Sequence, residues 1–552
     1  MPPFVQTVQF RAVEGLTLTD ATALLQRHGI NLAPNLLAAV HGQTQGNAEL
    51  LSLAAELLRR SADPAAMIAR LSQQQDVERF VIREVDESLS DGERAILGAM
   101  SALLGYPATR AALSAILDRG GLQRSIQSLA DRHLLTDQET AEGRVFSLHA
   151  MLRSFYYADL GPDERRTLHR RAAAFYEKEQ PDPLRVVEHW LHAGEDEEAV
   201  AAATSDVIAF INHGQAHALL RLLSQLADRP LPVLQQARLA LTRAEIQQFE
   251  CANDAAQASF DAALALAERL PPTAARQKLI VTVCQRLGEL LSDQAPDHAL
   301  AWLQRGLVEV DADNDLAPAR AELLVALSTV QIRRGDYAAA AEAVQAGLRA
   351  AVDLPDRLFI RAQLNLGIIA SERGDFDDAF AFTRQAAAHA AQAHDDIWRV
   401  PAEMNLGLYA FTQGDWDGAV SHLTIASDLA GRVGSGTQRT ELAINLGQIL
   451  LRRGEDTEAG VKLQAALELA RQYHLVSHEI VATINLAEWR QRRAELETAL
   501  SLIEAARQRS LETGLSAWLP EIYRREAQIR LAANDGAGAA TAIAQSLTIA
   551  AE

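Results

Sequence analysis

An asparagine recurs at a constant spacing, in one tripeptide context, along the C-terminal half of the chain. It occurs in Asn365-Leu366-Gly367, Asn405-Leu406-Gly407, Asn445-Leu446-Gly447 and Asn485-Leu486-Ala487. A second series accompanies it: Gly335-Asp336-Tyr337, Gly374-Asp375-Phe376, Gly414-Asp415-Trp416 and Gly454-Glu455-Asp456. A fixed period of this length indicates stacked structural repeats. Such arrays build extended binding surfaces, so the period favours a binding function over catalysis.

The residue types within each period distinguish among repeat classes. Leu366-Gly367, then Gly374-Asp375-Phe376, then the small Ala379 and Ala386, form a tetratricopeptide pattern. The helix glycine removes a side chain where two helices cross, and the Gly-Asp pair makes the turn between them. We therefore predict an all-α protein whose residues 231–552 form a right-handed, tetratricopeptide-like α-solenoid. About eight helical hairpins are expected, starting near residues 234, 274, 318, 356, 397, 437, 477 and 516.

Composition agrees with a helical stack and limits the partners. Of the 552 residues, 48% are hydrophobic but only 5% are aromatic, which suits closely packed helices. The net charge of -20 argues against broad binding to nucleic acid or to anionic membranes. The start, Met1-Pro2-Pro3-Phe4, does not resemble a signal peptide, and the apolar run over 95–108 is too short to span a bilayer. A cytoplasmic location is expected.

Residues 1–230 are predicted to form three further regions. Residues 1–87 are expected to hold one strand over 4–16 and a small helical domain, and residues 161–230 an irregular helical connector. Residues 88–160 have the pattern of a winged helix, with three helices, wing strands over His133–Thr136 and Arg144–Leu148, and a closing helix. A plain helical bundle with one hairpin is the alternative. A DNA-binding role is not expected, because the third helix lacks a basic face.

Three segments of this region resemble one family. They are Gln9-Phe10-Arg11-Ala12-Val13-Glu14-Gly15-Leu16-Thr17, then Thr44-Gln45-Gly46-Asn47-Ala48-Glu49-Leu50-Leu51, and Ser147-Leu148-His149-Ala150-Met151-Leu152-Arg153. They resemble the last core strand, the Gly-Asn-Pro-Leu motif and the Met-His-Asp motif of the signal-transduction ATPases with numerous domains, whose nucleotide-binding module is of the NB-ARC type. Residues 161–552 resemble the repeat-rich sensor arm of the branch that contains the maltose-regulon activator.

The resemblance implies a nucleotide-binding remnant at Gly46 and His149, the histidine contacting the terminal phosphate. The sequence departs from the family in its phosphate loop, which requires Gly-Lys-Ser/Thr. The residues before the three lysines, Lys178, Lys278 and Lys462, are Glu177, Gln277 and Val461. Ala150 stands where the family has the acid of its His motif, and Ala48 stands where the family has the proline that contacts adenine. We therefore expect no cofactor, with ATP or ADP bound only if the missing half is supplied elsewhere.

Candidate ligand-binding residues follow from the tetratricopeptide register. The groove is expected to be lined by first-helix positions that flank Asn-Leu-Gly. These are Arg361, Leu364, Ile368, Glu372, Met404, Leu408, Phe411, Glu441, Gln448, Arg452, Glu488 and Arg492. Their mixture of apolar and charged groups fits a peptide, a protein segment or a small polar inducer.

Three other columns have structural interpretations that we favour. The asparagines are expected to make a repeated structural hydrogen bond rather than to bind a peptide backbone. Tyr337, Phe376 and Trp416 are expected to pack. The column Arg334, Arg373, Arg453 and Arg493 suits helix C-termini, with anion binding as the alternative.

No residue constellation favours catalysis. His189 and His192 lie at i and i+3 without a third ligand, so no metal site is predicted. The chain is therefore expected not to be an enzyme. The first functional hypothesis is a regulatory sensor arm that recognises a ligand or protein and shifts between two packings. The alternatives are a constitutive protein-protein scaffold, and a nucleotide switch that uses His149 with a partner's phosphate loop.

Overall fold

Helices dominate the fold, which confirms the all-α class and the α-solenoid. The computed structural model describes residues 15–74, 76–140, 143–292, 295–310, 316–350 and 355–551. The chain divides into two compact units, one ending at Ala199 and the other starting at Val200. Residues 4–14 of the expected N-terminal strand lie outside the described residues. The three boundaries between the four regions proposed from the sequence remain predictions.

The first unit begins with five short helices, four of which are capped at their starts by side chains. Thr17, Asn47, Asp63 and Asp76 each accept hydrogen bonds from backbone N–H groups of the first turn, which the helix itself leaves unpaired. The helices are α1 (Leu18–Arg27), α2 (Pro34–Thr44), α3 (Ala48–Arg60), α4 (Pro64–Leu71) and α5 (Val77–Asp86). Asp63 followed by Pro64 is a strong start signal for α4.

Three helices, a small sheet and a closing helix follow. They are α6 (Asp91–Ala102), β1 (Ala108–Thr109), α7 (Arg110–Leu117), α8 (Gln123–Asp131), β2 (Thr136–Thr140), β3 (Gly143–Ser147) and α9 (Ala150–Asp159). The sheet is antiparallel with the order β1-β3-β2. The first wing strand was expected over His133–Thr136, but it starts at Thr136 because the φ of +58° at His133 makes a turn there. The short β1 was not predicted at all.

Three more helices complete the region around residue 199. They are α10 (Pro162–Lys178), α11 (Pro183–Ala193) and α12 (Asp196–Ala203), and the division between the units falls within α12. Two fully buried histidines join α10 to α11. The Nδ1 atoms of His169 and His189 are 2.9 Å apart, so one donates a hydrogen bond to the other, and the Tyr157 hydroxyl lies 3.1 Å from Nε2 of His169.

Among its described residues, the second unit continues from the end of α12 with two short helices and eight helical hairpins. The short helices are α13 (Val207–Asn212) and α14 (Ala216–Ala227). The first helices of the hairpins are α15 (Val233–Phe249), α17 (Ala274–Leu291), α19 (Ala317–Arg333), α21 (Asp356–Glu372), α23 (Asp396–Thr412), α25 (Gly436–Arg453), α27 (Val476–Arg492) and α29 (Leu519–Ala532). The second helices are α16 (Asn253–Glu268), α18 (Pro296–Val310), α20 (Tyr337–Ala350), α22 (Phe376–Gln392), α24 (Trp416–Val433), α26 (Asp456–Gln472), α28 (Leu496–Thr513) and α30 (Gly536–Ala551).

A glycine in the first helix lets the two helices of a hairpin cross closely, as the sequence predicts. A Cβ on Gly407 would lie 2.8 Å from Cγ of Leu423, and one on Gly447 would lie 2.6 Å from Cγ of Leu463. Real Cβ atoms do not approach other atoms that closely, so the leucine of the second helix occupies the space that the glycine leaves. Gly288 and Leu303 repeat the arrangement in the second hairpin.

The turn between the helices needs a left-handed residue. Gly335, Gly374, Gly414 and Gly454 occupy this position with φ between +76° and +85°. The last two hairpins use Ala494 at +60° and Asn534 at +62° instead. A left-handed conformation costs an alanine about 1–2 kcal/mol, whereas glycine adopts it freely.

At this turn position, replacing alanine by glycine should therefore raise stability, and replacing glycine by alanine should lower it. We expect Ala494→Gly to raise the free energy of unfolding by about 0.5–1 kcal/mol, the relieved strain being partly offset by the more flexible unfolded chain. Gly454→Ala should lower it by a similar amount, because no atom lies within 4 Å of the added Cβ and only the backbone strain changes. Urea unfolding of both variants checks this. Equal signs for the two exchanges would contradict the strain argument.

The buried histidine pair should make the first unit sensitive to acid. Burial, followed by the nearby His192 and Arg165, lowers the pKa of His169 to about 4. Burial and then His169 lower the pKa of His189 well below its usual value. The folded state thus holds both rings neutral, while the unfolded chain takes up protons below pH ~6.5. Stability is then lost as the pH falls from ~6.5 towards 4.

Replacing one of the two rings isolates this effect from other titrating groups. We expect the free energy of unfolding of the unmodified protein to fall relative to His189→Gln by up to about 1.4 kcal/mol per pH unit between pH ~6.5 and ~5. Urea unfolding across this pH range provides the measurement. His298→Gln, at an exposed position, is the control and should follow the unmodified protein. Parallel curves for His189→Gln would disprove the proposed linkage.

Candidate binding surface of the repeat array

The first helices of the hairpins form one continuous face of the array. Each of α15, α17, α19, α21, α23, α25 and α27 contacts the next first helix along the chain, in addition to its own hairpin partner. Neighbouring second helices make at most marginal contact in the described residues. Helices that stay close along a curved stack lie on its inner side, so the first helices line the concave face.

The asparagine column contributes structural hydrogen bonds between successive first helices. Nδ2 of Asn365 donates to the hydroxyls of Ser328 (2.8 Å) and Thr329 (3.0 Å) on the preceding first helix. Oδ1 of Asn485 accepts from Nε2 of Gln448 at 3.1 Å. Both asparagines are buried, so the structural interpretation holds for them. Asn405 and Asn445 make no side-chain hydrogen bond to other described residues.

Three arginines of the column tie their hairpins to an acidic or carbonyl group of the preceding hairpin. Arg334 pairs with Asp297 at 3.0 Å and Arg453 with Asp417 at 3.1 Å, in each case at the start of the preceding second helix. Arg373 donates to the carbonyl of Tyr337 in the same way. These guanidiniums are engaged within the protein, which favours a structural role for the column over anion binding.

Four of the five apolar groove candidates are partly accessible. The fifth, Leu364, was expected to line the groove but is buried. Leu364 is only 5% exposed and packs with Ile360, Ala386 and Ala402 between three helices, so it belongs to the core. It fails as a ligand contact because it faces the second helix of its own hairpin and the next first helix. The other four are half-buried: Ile368, Met404, Leu408 and Phe411.

The polar candidates of the later hairpins bridge neighbouring first helices. Glu488 pairs with Arg525 at 2.8 Å, where both side chains are nearly buried, and lies 3.9 Å from Arg452. Glu441 contacts His478 at 3.2 Å, and Gln448 donates to the asparagine described above. A ligand that uses these side chains must therefore compete with bonds that hold successive hairpins together.

Two polar candidates lie away from the concave face, at the edge where hairpins turn. The carboxylate of Glu372 accepts from the hydroxyl of Tyr337 at 3.0 Å. Arg492 pairs with Asp456 at 3.2 Å and also donates to the carbonyl of Leu451. Both partners are in the preceding hairpin, and both side chains are exposed. Their role towards a ligand stays a prediction.

A charged cluster lies in the earlier hairpins, and the sequence interpretation selected only Arg361 from it. Arg286 and Glu289 of α17, Glu322 of α19 and Arg361 of α21 lie together on the concave face. Arg361 pairs with Glu289 at 2.7 Å, and their side chains are only 12% and 18% exposed. Ala326 and Arg286 occupy the asparagine position in the two preceding hairpins, so the same register extended backwards would have selected Glu322 and Glu289.

The start of the second unit touches the middle of the array. Arg357 of α21 pairs with Asp206 and with Asp395, both at 2.8 Å, and Oδ1 of Asn212 accepts from the backbone N–H of Ile397. The Cys251 sulfur also lies 3.1 Å from the hydroxyl of Thr437, which opens the sixth hairpin. The array thus curves until distant hairpins meet.

The residues of the suggested nucleotide remnant are engaged with protein groups. Gly46, at φ +69°, accepts a backbone hydrogen bond from Leu16 at 2.7 Å, and a Cβ there would lie 2.5 Å from the Leu16 carbonyl oxygen. The His149 ring contacts the carboxyl of Glu49. Burial, then Glu78, raises the pKa of Glu49 to about 7, and burial lowers the pKa of His149. Their role towards a nucleotide stays a prediction.

Metal binding and membrane insertion each have structural requirements of their own. In the part of the chain that the structure describes, no three His, Cys, Asp or Glu side chains are arranged to hold a metal ion. Within the same residues, no helix combines the length and apolar character needed to cross a bilayer.

Comparisons with known proteins identify the fold. No protein-family model and no curated protein matches the sequence. Among solved structures, the chain is similar to a signal transduction ATPase with numerous domains (STAND) that has a tetratricopeptide repeat sensor, from Pyrococcus horikoshii. The two share 15% identity over 92% of this chain and 74% of that one, with a TM-score of 0.56. At this identity the likeness shows a common helical-repeat fold.

Two further solved structures are similar over a smaller share of this chain. The quorum sensor NprR from B. thuringiensis, in its apo form, shares 13% identity over 64% of this chain and 99% of its own, with a TM-score of 0.44. A Rap protein complexed with competence and sporulation factor shares 14% over 61% and 99%, with a TM-score of 0.42.

The asparagine bonds can be tested with a matched pair of substitutions. Asn365→Ala should lower the free energy of unfolding by about 1–3 kcal/mol, because it leaves the buried Ser328 hydroxyl and the half-buried Thr329 hydroxyl without their donor. Asn405→Ala should change it by less than about 0.5 kcal/mol, since no such bond is lost. Urea unfolding of both variants gives the comparison. Equal losses would show that the column contributes through packing instead.

Proposed function

We propose that this chain is a regulatory sensor arm that binds a peptide or a segment of another protein on the concave face of its repeats. The role is recognition rather than catalysis, within a signalling system of cytoplasmic ATPase or transcriptional-regulator type. The observation that carries the proposal is the variation of the concave face. Half-buried Ile368, Leu408 and Phe411 alternate there with charged side chains that differ from one hairpin to the next. An amphipathic surface of both signs suits a peptide better than a repetitive polymer.

The same face offers a physical route from binding to a change in shape. Its polar side chains form ion pairs and hydrogen bonds between successive first helices, such as Glu488 with Arg525. A ligand that takes over one member of a pair weakens the link between two hairpins. It thereby favours a packing with a different spacing, provided that it binds the two packings unequally.

The first unit would transmit this change. We propose that residues 88–160 are a winged helix and that residues 15–87 belong to a small helical domain of NB-ARC type. The similarity to a STAND protein with a tetratricopeptide sensor supports this assignment, since it extends over 92% of the chain. A nucleotide would be bound together with a phosphate loop supplied by another part or partner. A small-molecule inducer in place of a peptide belongs to the same proposal.

The competing function is a constitutive scaffold that binds without switching. It predicts the same binding surface but no ligand-dependent change in shape. Small-angle scattering with and without the bound peptide distinguishes the two. An unchanged scattering curve at saturation would favour the scaffold.

Binding on the concave face can be tested with a random octapeptide library displayed on phage and selected against the full chain. A selected peptide should raise the unfolding temperature, by an amount equivalent to about 2.7 kcal/mol at 100 times its Kd. Leu408→Glu should weaken that peptide at least tenfold, because it places a charge among the apolar contacts of the face. Val461→Glu is the matched control, since Val461 is 66% exposed on a second helix, and it should leave binding unchanged. Peptides that are insensitive to Leu408→Glu would contradict the assigned surface.

A further inference from the structure

The outer face of the eighth hairpin is apolar, whereas the terminal hairpin of a repeat array normally has a polar outer face. Its second helix, α30, has no Asp, Glu, Lys or Arg between Gly536 and Ala551. Each of the other seven second helices carries at least two such residues. The nearest charges before α30, on Arg530 and Asp535, pair with each other at 2.8 Å. The face of α30 is therefore neutral as well as apolar.

Comparison with the preceding hairpins shows that this face includes a core position without its cover. Leu423, Leu463 and Ile503 occupy equivalent positions, 40 residues apart, and each is at most 1% exposed. Ile543 is the next member of this series and is 41% exposed. In the earlier hairpins the following first helix packs against the second helix, as α27 does against α26. Among the described residues, only α29 packs against α30, so one apolar side of α30 faces water.

The exposed residues of α30 form one stripe with the spacing of a helix-packing seam. Ala540, Ile543, Ala544 and Leu547 lie three, four and seven positions apart, and all four are exposed. Residues at these spacings share one face of a helix. Leu547, at 67% exposure, projects furthest into solvent. Such a stripe of alternating large and small apolar side chains matches the close approach of another helix.

The stripe is complementary to itself when two copies of α30 run antiparallel. The centre of α30 lies between Ile543 and Ala544. A two-fold axis at this centre places Leu547 of one copy opposite Ala540 of the second copy, and Ile543 of one copy beside Ala544 of the second. Each large side chain then meets a small one, which lets the two helices pack without a cavity or a clash.

The charge of the chain selects the same face for a contact between copies. Each chain carries a net charge of -20, so most pairings of two copies bring like charges together. Contact through α30 places no charged side chain of that helix in the interface. One helix from each copy is a small contact compared with the roughly 1,200–2,000 Å² that stable complexes bury, so a weak and reversible pairing is expected.

We propose that α30 is a self-association surface, through which two copies of this chain pair by packing their α30 helices antiparallel about a two-fold axis. Ile543 and Leu547 supply the apolar contacts, and Ala540 and Ala544 leave the space for them. The contact covers the exposed end of the array in both copies. It is independent of ligand binding on the concave face, because α30 is a second helix and lies outside that surface.

Sedimentation equilibrium of the full chain over a wide range of concentrations tests the pairing. We expect a reversible monomer–dimer equilibrium with a dissociation constant of about 1–100 µM. Leu547→Glu should weaken the dimer at least tenfold, because each carboxylate would lose water beside apolar side chains. Val461→Glu is the matched control, since Val461 is 66% exposed on α26, and this variant should pair like the unmodified chain.

Cross-linking with a short bismaleimide tests the antiparallel register. Ala544→Cys, next to the axis, should give a linked dimer, and the unmodified chain with its two cysteines sets the background. Ala550→Cys, which is also exposed, should stay near that background. In an antiparallel pair the two copies of residue 550 are about 20 Å apart along the helix axis, whereas a parallel pair would bring them together.

Folding and pairing are measured separately. Leu547 is exposed, so Leu547→Glu should keep the unfolding temperature of the unmodified chain when both are dilute and monomeric. A chain that stays monomeric at concentrations well above the expected dissociation constant overturns the second copy as the occupant and leaves the face to a partner of another kind. A dimer that survives in Leu547→Glu overturns α30 as the contact. Efficient cross-linking through Ala550→Cys but not through Ala544→Cys overturns the antiparallel arrangement.

Discussion

The close crossing of two helices within each hairpin is the contact on which the array depends. At Gly407 and Gly447 the first helix has no side chain, and a leucine of the second helix occupies that space. A single hairpin buries only one side of each helix, so its remaining apolar surface must be covered by the next hairpin. The leucine therefore sets the angle of one hairpin and, through it, the side presented to its neighbour. Curvature of the whole stack follows from this local geometry.

Local patterns in the sequence predicted most of the geometry within each hairpin. Gly374 and Gly414 were expected to form turns, and their positive φ values confirm it; Asn365 was expected to make a structural bond, and it does. Leu364 was misplaced because a repeat period assigns a residue to a helix face only approximately. Glu289 and Arg361 belong to hairpins that are not adjacent in the chain, and only the curvature of the stack brings them together. No pattern along the chain encodes that meeting.

The side chains of the concave face hold successive hairpins together and also form the surface offered to a ligand, two roles that normally conflict. Ion pairs between partly buried side chains, such as Glu488 with Arg525, contribute little net stability compared with apolar packing. They nevertheless fix which hairpins face each other, because a shifted register would leave a charge without its partner. Using the same side chains for cohesion and for recognition makes the geometry of the surface responsive to what it binds. A purely apolar concave face would hold its shape more firmly and discriminate less.

The contacts of Arg357 with Asp206, and of Cys251 with Thr437, join residues 151 and 186 positions apart. A simple solenoid has interactions only between neighbours, so its end repeats can melt while its centre persists. Here the start of the second unit cannot detach without breaking contacts to the fourth and fifth hairpins, and the first hairpin cannot detach without breaking its contact to the sixth. Such long loops slow folding, since their entropy must be lost before the contact forms. The consequence is cooperativity: these hairpins should melt as one block rather than fray from the end.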